Sequence, residues 1–376
     1  AVLLVSGCKK KETPPTGEGP KSLQVGLVVD VGGRGDQSFN DSALRGLELW
    51  AAGVKFSGNG YVPAPADEIS QSITPDLKDH QPKIEKVAVS PIVLNSKAQE
   101  DYEPNMDLLV QKGAGLVIGT GFMLENATEA VAKRNPNTKF LLIDSPLLDP
   151  QGKPYTLPNV KTVVFREEEG SFLVGALAGL VTKSGNVGFV GGMEIPLIKK
   201  FEAGFRAGLS VTNPDAAKKI LVTYTGSFDN VQAGKQVASD LLAKGADVIF
   251  HAAGSDGVGV IQAVKEARAS GKPVWVIGVD SDQSHLAPDA VLTSMVKRVD
   301  LAVYDTVRAL ADGKFEPGDS ALGLKQQGVT YAEVRVDFPG KAEALQKVEA
   351  LRQKVINGEI KVPSNVTDLA AFKGPL

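Results

Sequence analysis

An α/β architecture with two parallel-sheet domains is what this chain should adopt. Short β-branched apolar runs alternate with amphipathic helical stretches along most of its length, which is the βαβ rhythm. The runs are almost continuously apolar, as in strands covered on both faces, and 376 residues exceed one ordinary α/β unit.

The first eight residues, Ala1 to Cys8, resemble the end of a bacterial lipoprotein signal, with Val5-Ser-Gly-Cys8 as the lipobox and Cys8 as the lipidation site. The alternative is a short apolar N-terminus with an incidental cysteine. Lys9 to Pro20, a lysine run followed by Pro, Thr, Gly and Glu, cannot bury a core and reads as a tether, so residues 1–20 stand apart from the folded part. No other apolar run approaches the ~20 residues that span a bilayer, which leaves a lipid anchor as the expected membrane attachment.

From Lys21 the expected strands are Gln24 to Val29, Gly115 to Ile118, Lys139 to Ile143, Val160 to Phe165, Asn186 to Val190, Ile220 to Tyr224, Asp247 to Phe250, Val274 to Val279 and Val291 to Met295. Helices fit between them at Asp41 to Ala51, Met123 to Lys133, Glu168 to Thr182, Ile198 to Ser210, Val231 to Lys244, Gly257 to Ser270 and Leu301 to Gly313. Ser38 or Asn40 would cap the first of these. Lys55 to Glu100 breaks the rhythm and reads as a surface elaboration with short strands around Ile84 to Leu94. A last helix, Lys341 to Ile356, should stop at Gly358 before a short strand.

Strand ends are where an open α/β sheet presents groups to a small molecule. Here they carry Asp30, Gly119-Thr-Gly121, Asp144-Ser145, Gly191-Gly192, Gly226-Ser-Phe228-Asp229, Ala253-Gly254-Ser255-Asp256 and Asp280-Ser-Asp282. Ionised carboxylates accept hydrogen bonds only, so a pocket gathering Asp30, Asp144 and Asp280 suits a ligand rich in O–H and N–H donors and repels an anion. Sugars and nucleosides fit; nucleotides do not. Phe39 and Phe228 lie in loops, where two rings from opposite lobes could sandwich a flat heterocycle, or each could cap its own core. Lys297 could donate to a hydroxyl or ring nitrogen, or be an exposed lysine after a strand. The three aspartates could equally be turn or capping residues.

Other classes of function find little support. A net charge of -3 and the lack of a basic stripe argue against nucleic acid. Three histidines and one cysteine give no metal-ligand spacing, and neither a metal nor a cofactor is implied. Gly254 to Gly259 has the wrong glycine spacing for a dinucleotide loop, and Arg34-Gly-Asp36 lies inside the first ligand loop. Acids at Glu167 to Glu169 complement a helix start without needing chemistry. There is no nucleophile elbow and no phosphate loop, so an enzyme is not expected.

Several motifs in one order resemble the basic membrane protein family of substrate-binding lipoproteins, the purine nucleoside receptor group of ABC-transporter components. They are Asp30-Val-Gly-Gly with Asp36-Gln-Ser-Phe-Asn40, Phe165 to Gly179, Gly188 to Gly192, Gly204-Phe-Arg-Ala-Gly208, Ile277 to Gln283, Thr293 to Lys297 and Gly358 to Pro363. The resemblance implies the type I periplasmic-binding fold, two Rossmann-like lobes joined by three hinge crossings. Lobes of 21–166 plus 282–313 and of 167–281 plus 314–376 follow, with crossings near Phe165 to Arg166, Asp282 and Gly313. It also implies a purine stacked between Phe39 and Phe228, with Asp30, Asn40 and Asp144 at the base edge and Gly254, Asp280 and Lys297 at the ribose. The implied protein is a monomeric receptor, lipid-anchored in the bacterial envelope, that delivers adenosine, guanosine or inosine to ABC permease subunits. A sugar, polyol or sensory receptor of the same fold is the alternative. A nucleoside-cleaving enzyme lacks its aspartate cluster, and a repressor would need a helix-turn-helix where this chain has a tether.

Overall fold

The computed structural model describes residues 22–374. Cys8 and the Lys9 to Pro20 tether lie outside the described residues. All nine expected strands form, and they fall into two six-stranded sheets. Edge to edge, the first sheet runs Gly318–Leu322, Val160–Phe165, Lys139–Ile143, Leu116–Thr120, Leu23–Val29 and Val89–Asn95, all parallel. The second runs Leu221–Tyr224, Val187–Gly191, Val248–Ala252, Trp275–Asp280, Val291–Lys297 and Val329–Tyr331, with only the last strand antiparallel.

The strand order places the crevices. Leu23–Val29 has the following strand, Val89–Asn95, on one side and Leu116–Thr120 on the other, so the crossovers diverge beyond Val29. Val187–Gly191 is flanked in the same way by Leu221–Tyr224 and Val248–Ala252. At such a reversal the loops separate and leave room for a ligand at the carboxyl ends of the strands. Asp30 and Gly192 stand at these two points.

Three crossings join the lobes, and two of them lie elsewhere than expected. The first is at Arg166, between strand Val160–Phe165 and helix Glu167–Val181. The second is at Arg298 rather than near Asp282, because Val291–Lys297 extends the second sheet in parallel with Val276 to Asp280. The third is at Gly323 to Gly328 rather than near Gly313, because Gly318–Leu322 completes the first sheet against Lys161 to Phe165. Residues 282–297 therefore side with the second lobe and 314–322 with the first. Backbone hydrogen bonds lash the crossings together, from Arg166 N to Leu322 O (3.0 Å) and from Arg298 N to Gly328 O (2.9 Å).

Helices cover both faces of each sheet. Glu167–Val181 and Pro196–Thr212 touch backbone to backbone: a Cβ on Gly175 would lie 2.1 Å from Phe205 O, and one on Gly208 only 1.9 Å from Phe172 O. That contact explains the glycines at 175, 204 and 208 without any ligand.

Other details depart from the sequence reading. Val89–Asn95 is an edge strand of the first sheet rather than part of a surface elaboration. Tyr102–Gln111 is an additional helix whose Tyr102, Met106 and Leu109 are buried. The first helix is α-helical over Phe39–Leu44 and widens into π-helical turns over Arg45–Ala52. After Gly358, at φ 76°, no strand forms among the described residues. What remains of the insertion is a hairpin, Val54–Phe56 with Tyr61–Pro63, and the short helices Ala66–Ser72 and Pro75–Leu77.

Candidate functional site

The first ligand loop is built around Asp36. Its carboxylate accepts the backbone N–H groups of Ser38 (3.0 Å), Asn40 (2.7 Å) and Asp41 (3.0 Å), so Asp36 caps the helix that opens at Phe39. Neither expected cap does so. Ser38 instead donates its hydroxyl across the cleft to Asp280 Oδ2 at 2.6 Å, and Asn40 donates through Nδ2 to Asp30 Oδ1 at 2.7 Å. The insertion braces the loop from outside. Arg34 forms a two-pronged bond to Glu48 (2.8 and 2.6 Å), Tyr61 donates to the same carboxylate at 2.6 Å, and the Phe56 ring lies 4.8 Å from the guanidinium.

All eight sequence-predicted ligand residues line one cleft between the lobes: Asp30, Phe39, Asn40, Asp144, Phe228, Gly254, Asp280 and Lys297. The cleft encloses about 560 Å³ of atom-free space, part of it open to solvent. Phe39 enters from the first lobe at its helix start, and Phe228 from the loop after Leu221–Tyr224 of the second. Two glycines make room for Phe228. A Cβ on Gly192 would lie 2.3 Å from its ring, and Gly254, at φ 54°, packs on its backbone and Cβ.

Among the described residues Lys297 is the one ammonium in the cleft wall, and it is buried. It donates to Asp144 Oδ2 at 2.6 Å, lies 3.6 Å from Glu167 Oε1 and sits 4.8 Å from the Phe39 ring centre. Burial alone would lower its pKa, but Asp144, Glu167 and Asp280 together hold it above the usual lysine value. Asp280 is raised by burial, against the opposing pull of Lys297 and the Ser38 hydrogen bond. Asp30 is pushed up to about 6 by burial, although bonds from Asn40 and Gly32 favour its anion. Asn40 Oδ1 and Asp144 Oδ1 are buried without a hydrogen-bond partner among the described residues. Each is an acceptor available to a donor on a bound molecule.

The lobes meet across this cleft. Ser281 Oγ donates to Ser38 O (3.2 Å), Gln283 Nε2 to Gln37 O (3.0 Å) and Arg45 Nη2 to Ser281 Oγ (3.1 Å). Among the described residues no group of three or more His, Cys, Asp or Glu side chains could hold a metal ion.

Sequence reasoning placed Asp36 in the first ligand loop without giving it a role and missed Leu197, Ile198 and Phe201, which also line the cleft. The capping role of Asp36 was legible in principle, as an acid preceding a helix start by three residues. Phe201 was not, because a ring on an apolar helix stripe looks like core.

Comparison with known proteins shows the family and the fold. The family described as ABC transporter substrate-binding protein PnrA-like matches residues 23–366. The CD4+ T-cell-stimulating antigen of Listeria monocytogenes is 35% identical, over 91% of this chain and 88% of its own. The ABC transporter nucleoside-binding protein BmpA of Lactococcus lactis is 31% identical over 97% and 96%, and basic membrane protein A of Borreliella burgdorferi is 32% identical over 94% and 91%. A solved ABC transporter solute-binding protein from Aeropyrum pernix superposes with a TM-score of 0.72 at 27% identity, covering 93% of this chain and 96% of its own. Two doubly wound lobes with three crossings constitute the type I fold of such solute-binding proteins. This is a family of binding proteins rather than enzymes, and the chain belongs to it, as a PnrA-like substrate-binding protein of ABC transporters.

Proposed function

We propose that this protein captures a purine nucleoside between its lobes and hands it to the permease of an ABC importer. One observation carries the reading. A phenyl ring from each lobe faces a single cleft whose polar wall is mostly carboxylate, with one ammonium. Rings on both sides suit a flat base, with stacking worth ~1–3 kcal/mol per base. The carboxylate excess suits a neutral donor-rich ligand over a phosphorylated one.

In this reading Phe39 and Phe228 sandwich the base. Asp30, Asn40 and Asp144 accept from its edge, and Gly254, Asp280 and Lys297 hold the ribose. Each lobe offers half of the contacts, so a bound nucleoside favours closure by supplying both at once. The nucleoside-binding relative from Lactococcus lactis supports the substrate class.

We extend the proposal to a monomer held at the outer face of a bacterial membrane by a lipid on Cys8. No helix among the described residues is long and apolar enough to cross a membrane. Mass spectrometry of the N-terminal peptide from the native host should find Cys8 acylated.

The direct test is calorimetric titration with adenosine, guanosine, inosine, ribose and glucose, together with native mass spectrometry of freshly purified protein. Saturable binding of at least one nucleoside, and of neither sugar, is expected. Binding of a sugar alone would replace this reading with the polyol receptor.

A further inference from the structure

The acids at Glu167, Glu168 and Glu169 read from sequence as ornaments of a helix start, and one of them is more than that. An acid that serves only the helix dipole can stay in water. Glu167 is fully buried and does not line the cleft. Its Oε2 accepts from Lys200 Nζ at 3.1 Å, and its Oε1, without a hydrogen-bond partner among the described residues, lies 3.6 Å from Lys297 Nζ. Lys200 is itself tied to the first crossing through Phe165 O at 3.1 Å. Glu167 thus follows the first crossing directly, and Lys297 immediately precedes the second.

We propose that Glu167 is a positioning residue for the cleft, holding the Lys297 ammonium in place independently of Asp144. The two carboxylates near Lys297 differ in what a ligand can do to them. Asp144 lines the cleft and has an unpartnered Oδ1, so a bound molecule can compete for it and loosen its grip on the lysine. Glu167 is out of a ligand's reach. It also stands directly after the first crossing, at the joint between the lobes. A lysine fixed from that side keeps its place against the Phe39 ring when Asp144 is drawn toward a ligand.

The importance of this placement for binding rests on the nucleoside reading, and the test separates the two. In calorimetry with a nucleoside that the wild type binds, Glu167→Gln should raise Kd about tenfold, and Glu167→Asp, which keeps the charge, only about threefold. In a Lys297→Met background the Glu167→Gln change should alter Kd less than about twofold. Equal losses in both backgrounds, or no loss in either, would overturn the proposal. If Glu167→Gln does not fold, Glu167→Asp carries the same cycle with the same criterion.

If no nucleoside binds the wild type, the proposed function fails while the placement of Lys297 is still read without ligand. The Lys297 ammonium signal in nitrogen-detected NMR, assigned by its loss in Lys297→Met, should be sharp in the wild type and broadened by solvent exchange in Glu167→Gln. An unchanged signal would refute the positioning role.

Discussion

Asp144 and Asp280 stand at the ends of corresponding strands, the fourth in each six-stranded sheet by chain order, and both adopt left-handed backbone, with φ of 70° and 63°. Such a conformation is uncommon without a glycine and concentrates where surrounding structure enforces it, often at ligand sites. What differs is the partner reaching over from the opposite lobe. Asp144 receives a lysine ammonium from the second lobe, and Asp280 receives a serine hydroxyl from the first. Pseudo-symmetry of the backbone therefore does not extend to the chemistry. One junction is an ion pair removed from water, which is costly to break, and the other is a charge-assisted hydrogen bond with a neutral donor.

The sharpest way to break that comparison is Lys297→Met. It strands Asp144 as a buried carboxylate, leaves Glu167 with Lys200 alone, and should lower unfolding free energy by about 3 kcal/mol in urea titration, leaving a protein of ordinary stability folded. A loss no larger than that of Ser38→Ala would mean that the two junctions are energetically alike. The rings extend the contrast, since Phe39 lies under Lys297 whereas Phe228 rests against glycines. Phe228→Ala should weaken nucleoside binding by about 2 kcal/mol with an unchanged urea midpoint, and Phe39→Ala should lower both. An unaltered Kd for Phe228→Ala would remove the sandwich.

Asp30 supplies a pH test, because the corresponding first strand of the second lobe ends in Gly191-Gly192 and offers no titrating group. Its folded-state pKa of about 6 exceeds the ordinary 3.8, so the folded protein holds the proton more tightly than the unfolded chain. The Asp30 contribution to stability therefore falls as pH rises from about 4 to 6 and is flat beyond. The anion is the stronger acceptor for a ligand N–H and carries no proton to oppose it, so nucleoside affinity should move the opposite way, up to about tenfold weaker at pH ~5 than at pH ~8. A Kd that does not vary over this range would show that Asp30 does not accept from the ligand. The smallest effect belongs to Ser38→Ala, about 1 kcal/mol in the urea titration, through loss of its bond to Asp280.

Much of this was legible in the chain itself, and the pattern of what was not is instructive. Strands announced themselves by β-branched runs, and the carboxylates by their recurrence where those runs stop. Asp30, Asp144 and Asp280 needed only local sequence to be found. The crossings at Arg298 and Gly323 to Gly328 depend on which sheet Val291–Lys297 and Gly318–Leu322 join, and pairing between segments distant in sequence leaves no local signature. Glu167 was misjudged for the same reason, since Lys200 and Lys297 approach it only once the second lobe has folded, from positions 33 and more than 100 residues further on. Ser38 looked like a cap, but its hydroxyl found a better acceptor more than 240 positions away.

The glycine seam between Glu167–Val181 and Pro196–Thr212 bears on how the protein moves. A joint made of flexible side chains would absorb torque, whereas two main chains in contact transmit it. Because one of these rods starts at the first crossing, the close seam leaves little side-chain give between that crossing and the neighbouring helix of the second lobe.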